Sequence, residues 1–166
     1  MSDQVWDEIY RLCESSRELV TRDRSRERIQ RTAEIFTPTA LVIDLLRNVP
    51  KDAYAPGKKV LDPACGDGQF LSAVKYAKVL IWEQSEESAL EDLFGIDIVA
   101  ENVHLCRLRL GGGTILIGDA LNPSRLIEGQ NASERAQLQE LVGGGALTDR
   151  KSTRLNSSHA NISYAV

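Results

Sequence analysis

The spacing of apolar residues predicts helices in the first part of the chain. Apolar residues recur every three to four positions over residues 5–20 and again over residues 41–46, which is the period of an amphipathic helix. Thr37 and Pro38 precede the second segment, where a capping hydroxyl and a first-turn proline are favoured. Between the two segments, residues 22–31 contain five arginines. These fit a phosphate-binding strip or, as we favour, a solvated helix face with internal ion pairs.

The pattern changes near residue 59, where short apolar runs begin to alternate with helical periods. Strands are predicted to end at residue 61 and to span residues 94–98 and 114–117; helices are predicted over residues 70–80, 85–93, 100–110 and 131–142. Alternation of strand and helix is typical of an α/β protein with a parallel sheet. We therefore predict a partial doubly wound (Rossmann-like) α/β fold with an N-terminal helical segment, in which ligands bind at the carboxyl ends of the strands.

Residues 62–71, Asp-Pro-Ala-Cys-Gly-Asp-Gly-Gln-Phe-Leu, join the first predicted strand to the helix that follows it. Such a turn brings backbone N–H groups and a helix N-terminus up to a ligand, and glycines permit a close approach. Asp62 and Asp67 make the turn unlike a phosphate-binding loop, because carboxylates repel a pyrophosphate and no Gly-Lys-Ser/Thr is present. The turn instead suits a ligand that has a cationic part or hydroxyl and ammonium donors.

Three aspartates, Asp62, Asp97 and Asp119, each lie at the end of a predicted strand. We therefore expect their side chains at one edge of one sheet. An acidic residue after the second strand of such a fold typically binds the ribose hydroxyls of a nucleoside, and Asp119 could accept a hydrogen bond from an exocyclic amine. Three carboxylates around a nucleoside with a charged amino-acid tail describe S-adenosylmethionine better than a dinucleotide, whose sites favour Gly-x-Gly-x-x-Gly.

The composition is that of an ordinary soluble globular protein, with 42% hydrophobic and 27% charged residues in 166. No apolar run approaches the roughly 18 residues that span a membrane, and no signal peptide is recognisable, so we expect a cytoplasmic protein. The net charge is −4, so the chain lacks the excess of Lys and Arg that is typical of a protein that binds nucleic acid by itself. Three cysteines and two histidines lack the spacing of a zinc site, so no metal is expected.

The C-terminal part resembles something other than natural protein. From Asp149 onward the sequence is similar to the translation of a short-read sequencing adapter. We expect these residues to be artefactual and the natural chain to have been cut off there; the alternative is a genuine polar tail. The predicted division is a helical segment over residues 1–50, an incomplete α/β domain over residues 51–142 and a disordered tail over residues 143–166.

Four motifs, in order over roughly residues 30–122, resemble those of the adenine-specific (N6) DNA methyltransferases, which include the modification subunits of restriction systems. Residues 62–71 resemble the cofactor motif, and Phe36-Thr37-Pro38 resembles the upstream Phe-Thr-Pro motif. Gly95-Ile96-Asp97 resembles the acidic motif that binds ribose, and Gly118-Asp119-Ala120-Leu121 resembles the motif whose aspartate meets the adenine amino group. The resemblance implies a methyltransferase fold that binds S-adenosylmethionine.

The same resemblance implies roles for single residues. Asp62 and the backbone around Gly66 and Gly68 would face the methionine moiety, Phe70 would pack beside it, and Ile98 would flank the adenine. The implied partners are DNA, which the full-length protein would bind, and the other subunits of a restriction-modification system. No membrane association is implied. The cofactor-binding set implied is Phe36, Thr37, Pro38, Asp62, Pro63, Ala64, Cys65, Gly66, Gly68, Phe70, Asp97, Ile98, Asp119 and Ala120.

The sequence also departs from the family. The family's catalytic Asn/Asp-Pro-Pro-Phe/Tyr, which receives a flipped base, does not occur in the 166 residues, and Asn122-Pro123 lacks the second proline and the aromatic residue. The target-recognition region expected downstream is also missing. No catalytic residue is therefore predicted, and we expect the chain to bind cofactor without transferring methyl groups. Cys65 is expected to fill the turn and not to act as a nucleophile.

Three alternative functions remain open on the sequence. Related families with the same cofactor motifs methylate RNA or a protein glutamine. A non-catalytic, regulatory S-adenosylmethionine-binding protein would need neither the tetrapeptide nor a recognition region. A dinucleotide-dependent oxidoreductase is more distant, because the glycine spacing does not fit it.

Overall fold

The computed structural model describes residues 3–21, 37–143 and 162–164, and its N-terminal part is helical. Helix α1 spans Asp3–Thr21, α2 spans Thr39–Arg47, and a short 3-10 helix spans Lys51–Tyr54. On α1, Trp6, Ile9 and Cys13 are three or four residues apart and all buried. This is the apolar stripe that the spacing of the sequence predicts, and it packs against the core.

Parallel strands form one sheet in the spatial order β3-β2-β1-β4. In register, Leu61 pairs with Phe94, and Ile96 pairs with Leu116. The strands are β1 (Lys59–Asp62), β2 (Leu93–Asp97), β3 (Thr114–Ile117) and β4 (Ile162–Tyr164). The other helices are α3 (Gln69–Trp82) and α4 (Glu86–Glu91) between β1 and β2, α5 (Ala100–Leu110) between β2 and β3, and α6 (Ala132–Gly143) after β3.

Both faces of the sheet are buried. Within β3, Ile115 and Ile117 pack into the larger core together with residues of α1, α2, α3 and α5, whereas Leu116 belongs to a second cluster on the opposite face. This second cluster is covered by α6 through Leu138 and Val142. Helices on both faces of a parallel sheet are the doubly wound arrangement, so the predicted partial Rossmann-like α/β fold is confirmed.

Some element boundaries differ from those predicted. The helix expected over residues 85–93 ends at Glu91, and Leu93 instead begins β2, where it is fully buried opposite Val60. Strand β4 was not predicted and lies within the expected tail. Residues 144–161 and 165–166 are outside the described part of the chain, so the domain division and the adapter origin of the C-terminal segment stay predictions.

The outer edge of β3 is occupied by side chains. Arg107 Nε donates a hydrogen bond of 3.1 Å to the carbonyl oxygen of Ile115, and Gln130 Nε2 donates one of 2.6 Å to that of Ile117. The two carbonyls are two residues apart, so they point to the same side of the strand. Arg107 also pairs with Glu134 of α6. These bonds satisfy an exposed strand edge and anchor the helix that covers the second face.

The amino ends of the strands carry a buried ion pair. Lys78 of α3 is 0% exposed, and its Nζ lies 2.9 Å from Asp92 Oδ2. The same Nζ donates to the carbonyl oxygens of Ala55 (3.2 Å) and Lys58 (2.8 Å), while the N–H of Gly57 donates to Asp92 Oδ2 at 3.0 Å. This cluster, the amino-edge network, ties the loop before β1 to α3 and to the start of β2.

Candidate functional site

The turn after β1 has the backbone geometry that its glycines permit. Gly66 has φ of 52° and Gly68 has φ of 85°, both in the left-handed region that side chains disfavour. The N–H of Cys65 donates to the carbonyl oxygen of Ile96 at 2.9 Å, and the N–H of Gly68 donates to that of Cys65 at 2.8 Å. The turn therefore crosses the carboxyl end of β2 before the chain enters α3.

The two glycines of this turn have different surroundings. A Cβ added at Gly68 would lie 2.6 Å from Cys106 Sγ and 3.3 Å from Cys106 Cα, so α5 packs directly on this part of the turn. A Cβ added at Gly66 would have nothing within 4 Å. Gly66 thus borders open space while Gly68 is fixed against the core, which leaves room for a ligand on the Gly66 side.

Asp62 lies where β1 ends, close to a second carboxylate. Its Oδ1 accepts a hydrogen bond of 3.1 Å from the N–H of Ala64. Burial raises the pKa of Asp62 to about 6; the hydrogen bond from Ala64 opposes this rise and the nearby Asp97 adds to it. The carboxyl group therefore changes charge just below neutral pH, and a cationic group placed beside it would favour the ionised form.

Asp97, at the end of β2, links its own strand to the glycine turn. The N–H of Gly66 donates to Oδ2 at 2.9 Å, and the N–H of Val99 donates to Oδ1 at 2.8 Å. Asn102 of α5 adds a longer bond of 3.4 Å to Oδ1. Asp97 is only 9% exposed, so these donors compensate for the burial of its charge.

Asp119 follows β3 and caps the loop after it. Its Oδ1 accepts hydrogen bonds of 3.0 Å from the N–H groups of both Leu121 and Asn122, and its Oδ2 lies 3.2 Å from Arg125 Nη1. Burial alone would raise the pKa of Asp119, but the bonds from Asn122, Arg125 and Leu121 outweigh it and lower that pKa. Asp119 is therefore ionised at neutral pH.

The structure brings these three aspartates to one edge, as the strand register predicts. Beyond the strand ends, the N–H of Gly118 donates to the carbonyl oxygen of Asp97 at 2.9 Å, which continues the β2–β3 pairing up to Asp119. Since β1, β2 and β3 are neighbours in the sheet, the three carboxylates form a row. We call this row the carboxylate edge.

Asp67 is paired inside the protein, whereas the sequence alone suggests that both acidic residues of the turn, Asp62 and Asp67, are available to a ligand. It is buried, and both of its carboxylate oxygens bind Arg109 of α5, at 3.0 Å and 3.2 Å. The charge of Asp67 is thus neutralised inside the protein. The sequence does carry a trace of this contact, because Arg109 falls three and four residues after the buried Cys106 and Leu105, on the apolar stripe of α5. A cation there requires a buried partner.

The remaining predicted residues vary in exposure. Pro38, Pro63 and Ala64 are exposed, Thr37 and Ala120 are half-buried, and Ile98 is 45% exposed. Phe70 is half-buried and packs on the larger core. Phe36 lies outside the described residues. These assignments to a cofactor stay predictions.

Cys65 is buried beside Cys106. A hydrogen bond with Cys106 and burial both raise the pKa of the Cys65 thiol, so it stays protonated. A protonated, buried thiol is a poor nucleophile, which suits a packing role.

The described ranges, residues 3–21, 37–143 and 162–164, contain neither a candidate membrane-spanning helix nor a candidate metal site. None of their helices is long and apolar enough to cross a bilayer. No group of three or more His, Cys, Asp or Glu side chains in those ranges could hold a metal ion.

The fold is that of a partial Rossmann-like α/β protein, with the carboxylate edge at the carboxyl ends of its parallel strands. The sequence profile of the N-6 DNA Methylase family matches residues 17–112, which is more than half of the chain. The protein therefore belongs to the N-6 DNA methylase family, and its function is DNA N6-methyltransferase-like. The matched region includes β1, the glycine turn, β2 and α5, and ends just before β3. No curated protein and no solved structure matches the chain.

Proposed function

We propose that this chain is the S-adenosylmethionine-binding portion of a DNA (adenine-N6) methyltransferase. The observation that carries the proposal is the carboxylate edge: Asp62 and Asp97 end β1 and β2, and Asp119 lies two residues after the end of the neighbouring β3, beside a glycine turn. Membership of the N-6 DNA methylase family supports the choice of ligand, since that family generally uses S-adenosylmethionine. The cofactor, when bound, would supply an electrophilic methyl group.

The residues present fit such a ligand. Asp62 is suited to the ammonium group of the methionine moiety, because a neighbouring cation would recover the cost of ionising a partly buried carboxyl. The open space at Gly66 leaves room beside it for the same moiety. Asp97 Oδ2 accepts one hydrogen bond, from Gly66, and a carboxylate oxygen can accept a second one from a ribose hydroxyl.

The far end of the edge fits the base. Ile98 follows Asp97 directly and exposes an apolar side chain that can pack on an adenine ring. Asp119, ionised at neutral pH, can accept a hydrogen bond from the exocyclic amine. The order Asp62, Asp97, Asp119 across the sheet then matches the order of methionine moiety, ribose and adenine in the ligand.

A dinucleotide fits this edge less well. Its pyrophosphate would lie at the glycine turn, next to Asp62 and with Asp97 bound to Gly66 N–H. Two carboxylates at that position repel a diphosphate, and they also occupy the backbone donors that would otherwise bind it.

We further propose that this chain binds cofactor but does not by itself transfer methyl groups, because its 166 residues lack the Asn/Asp-Pro-Pro-Phe/Tyr that receives the target adenine. DNA and any restriction-modification subunits would be engaged through additional protein. We also propose that the protein acts in the cytoplasm.

Calorimetric titration of the whole chain with S-adenosylmethionine and with NAD tests the ligand. We expect a dissociation constant on the order of micromolar, or about −8 kcal/mol, for S-adenosylmethionine and no binding of NAD. Asp97→Asn should weaken the binding at least tenfold, and Asp97→Ala further. Asp44→Asn, at an exposed position on α2, is the matched control and should leave the affinity unchanged. Circular dichroism would verify that each variant is folded.

Two results would overturn the assignment. Equal or tighter binding of NAD would favour a dinucleotide site, and unchanged affinity in a folded Asp97→Asn variant would remove the ribose role of that residue.

A further inference from the structure

A chain of mostly buried polar side chains connects the glycine turn to residues of four helices, α1, α2, α3 and α5. Arg109 of α5 binds both carboxylate oxygens of Asp67, and its Nη1 donates to Gln69 Oε1 at 2.6 Å. Gln69 Nε2 donates to Thr39 Oγ1 at 2.7 Å. The Thr39 hydroxyl in turn donates to Glu14 of α1. We call these five residues the turn network.

Four of the five residues of the turn network are almost fully removed from solvent, and the fifth, Glu14, is half-buried. Thr39 is 2% exposed, Arg109 5%, Asp67 6% and Gln69 7%. Burying an ion pair is costly, and apolar residues of similar volume are often as stabilising or more so. The role of such a pair is therefore better judged from the geometry that the pair fixes than from the stability that it contributes. A planar guanidinium that binds both oxygens of a carboxylate can take only one orientation.

Members of the network are sequence neighbours of residues in the proposed site. Asp67 lies between Gly66 and Gly68, the two residues whose backbone is otherwise most free to change. Thr39 is the first residue of α2 and directly follows Thr37 and Pro38. Gln69 is the first residue of α3 and joins these two segments. The turn and the Thr37-Pro38 segment are thereby held in one fixed arrangement.

We propose that Arg109 and Gln69 are positioning residues, which hold the glycine turn and the Thr37-Pro38 segment as one preorganised wall for the amino-acid end of S-adenosylmethionine. The proposal rests on the proposed function. Neither residue touches the ligand; Arg109 acts through Asp67, and Gln69 acts through Thr39. Preorganisation of this kind increases affinity by reducing the ordering that binding requires.

Two ligands of different length separate positioning from general stability. S-adenosylmethionine engages the glycine turn through its amino-acid end, whereas 5′-methylthioadenosine lacks that end and depends on Asp97, Ile98 and Asp119. Arg109→Lys cannot reproduce the contact with both carboxylate oxygens. We expect it to weaken the affinity for S-adenosylmethionine about tenfold and to change the affinity for 5′-methylthioadenosine by less than about twofold. Thr39→Val, nearly isosteric, should give the same selectivity with a smaller loss.

Tyr54→Phe is the matched control for Thr39→Val. The hydroxyl of Tyr54 donates a buried hydrogen bond of 2.7 Å to the carbonyl oxygen of Leu46, away from the glycine turn. Both substitutions remove a buried hydroxyl and should lower the midpoint of urea denaturation by similar amounts. Only Thr39→Val should alter the ratio of the two affinities.

The outcomes separate the two proposals. If the wild-type protein binds neither ligand, the proposed function fails and the positioning role fails with it. If it binds both, but Thr39→Val and Arg109→Lys weaken them equally or not at all, the positioning role alone is wrong. Should Arg109→Lys not fold, Thr39→Val decides the matter, and selective loss of S-adenosylmethionine affinity supports the proposal.

Discussion

Acidic residues at the two ends of the sheet have different kinds of hydrogen-bond partner. At the amino end, Asp92 is paired with the buried ammonium of Lys78, whose remaining donors bind the carbonyl oxygens of Ala55 and Lys58. At the carboxyl end, Asp62 and Asp97 accept hydrogen bonds from backbone N–H groups, and Asp97 accepts a further one from the Asn102 amide; none of these donors is a cation. Negative charge is therefore cancelled at Asp92 and retained at Asp62 and Asp97, whereas Asp119, farther along the carboxyl end, pairs with Arg125.

This difference distinguishes a structural polar cluster from a binding site. A buried cluster whose donors and acceptors match fixes loops and has nothing left to offer a ligand. Carboxylates held by backbone N–H and amide groups, without a cation, keep their charge and part of their accepting capacity, so a cation or a hydroxyl can still join them. Asp67 lies at the carboxyl end but is of the first kind, because Arg109 neutralises it.

The largest expected effect comes from breaking the amino-edge network. Lys78→Met leaves Asp92 buried without its cation and should lower the free energy of unfolding by about 3–5 kcal/mol, measured by urea denaturation. Lys51→Met, at an exposed position of the same end, should change it by less than about 0.5 kcal/mol. Affinity for S-adenosylmethionine should be unchanged in any Lys78→Met protein that remains folded.

A double variant shows whether the unpaired charge causes that loss. Lys78→Met combined with Asp92→Asn removes the charge and should recover part of the stability. If the double variant is less stable than Lys78→Met alone, lost packing and lost hydrogen bonds explain the effect, and the ion pair is not what holds this end together.

The second effect concerns the two glycines of the turn. Gly68→Ala must adopt a left-handed backbone and also place a Cβ against Cys106, so it should cost about 2–4 kcal/mol. Gly66→Ala meets only the backbone cost, about 1 kcal/mol, because the space around it is open. Thermal unfolding of the two variants would measure the difference, and equal costs would contradict the packing of α5 on the turn.

The Gly66 variant also bears on the site. Its added methyl group would project into the space that we assign to the ligand. Gly66→Ala should therefore reduce the magnitude of the free energy of binding S-adenosylmethionine more than it reduces the free energy of unfolding. Lys78→Met should do the reverse.

The smallest effect is a pH dependence at the carboxylate edge. With the pKa of Asp62 raised to about 6, affinity for S-adenosylmethionine should fall as the pH decreases below 6, because the protonated carboxyl no longer attracts an ammonium group. The limiting slope is about tenfold per pH unit, and calorimetry from pH 7.5 to pH 5 would measure it. Asp62→Asn should bind more weakly at neutral pH and lose this dependence.

The same carboxyl group affects stability with the opposite sign. Its pKa is higher in the folded than in the unfolded protein, so its stabilising contribution is complete below pH 3.8 and is lost as the pH rises through about 6. Ligand-free Asp62→Asn should therefore gain stability relative to wild type as the pH increases over this range. An unchanged difference between the two proteins would contradict the raised pKa.

Hydrophobic spacing and turn chemistry were sufficient to predict the α-helices, strands β1, β2 and β3, and the edge that carries Asp62, Asp97 and Asp119. They succeed because strand ends in a parallel sheet meet at one edge whatever the details of packing. The partner of Asp67 could not be predicted with the same certainty. Arg109 is 42 residues away, and which buried cation meets which buried carboxylate depends on how α5 packs on the turn. Strand β4 could not be predicted, because three residues are too few to show the alternation of apolar and polar positions that is typical of a strand.

The occupied edge of β3 has a consequence for how the sheet can be extended. Because Arg107 and Gln130 already bind the carbonyl oxygens of Ile115 and Ile117, another strand cannot pair there without displacing them. A further strand is therefore directed to the opposite side of the sheet, where β4 already pairs with β1. Exchange of β4 between two copies, or its replacement by a strand of a separate chain, would take place beside β1, the strand that ends at Asp62 and so belongs to the carboxylate edge.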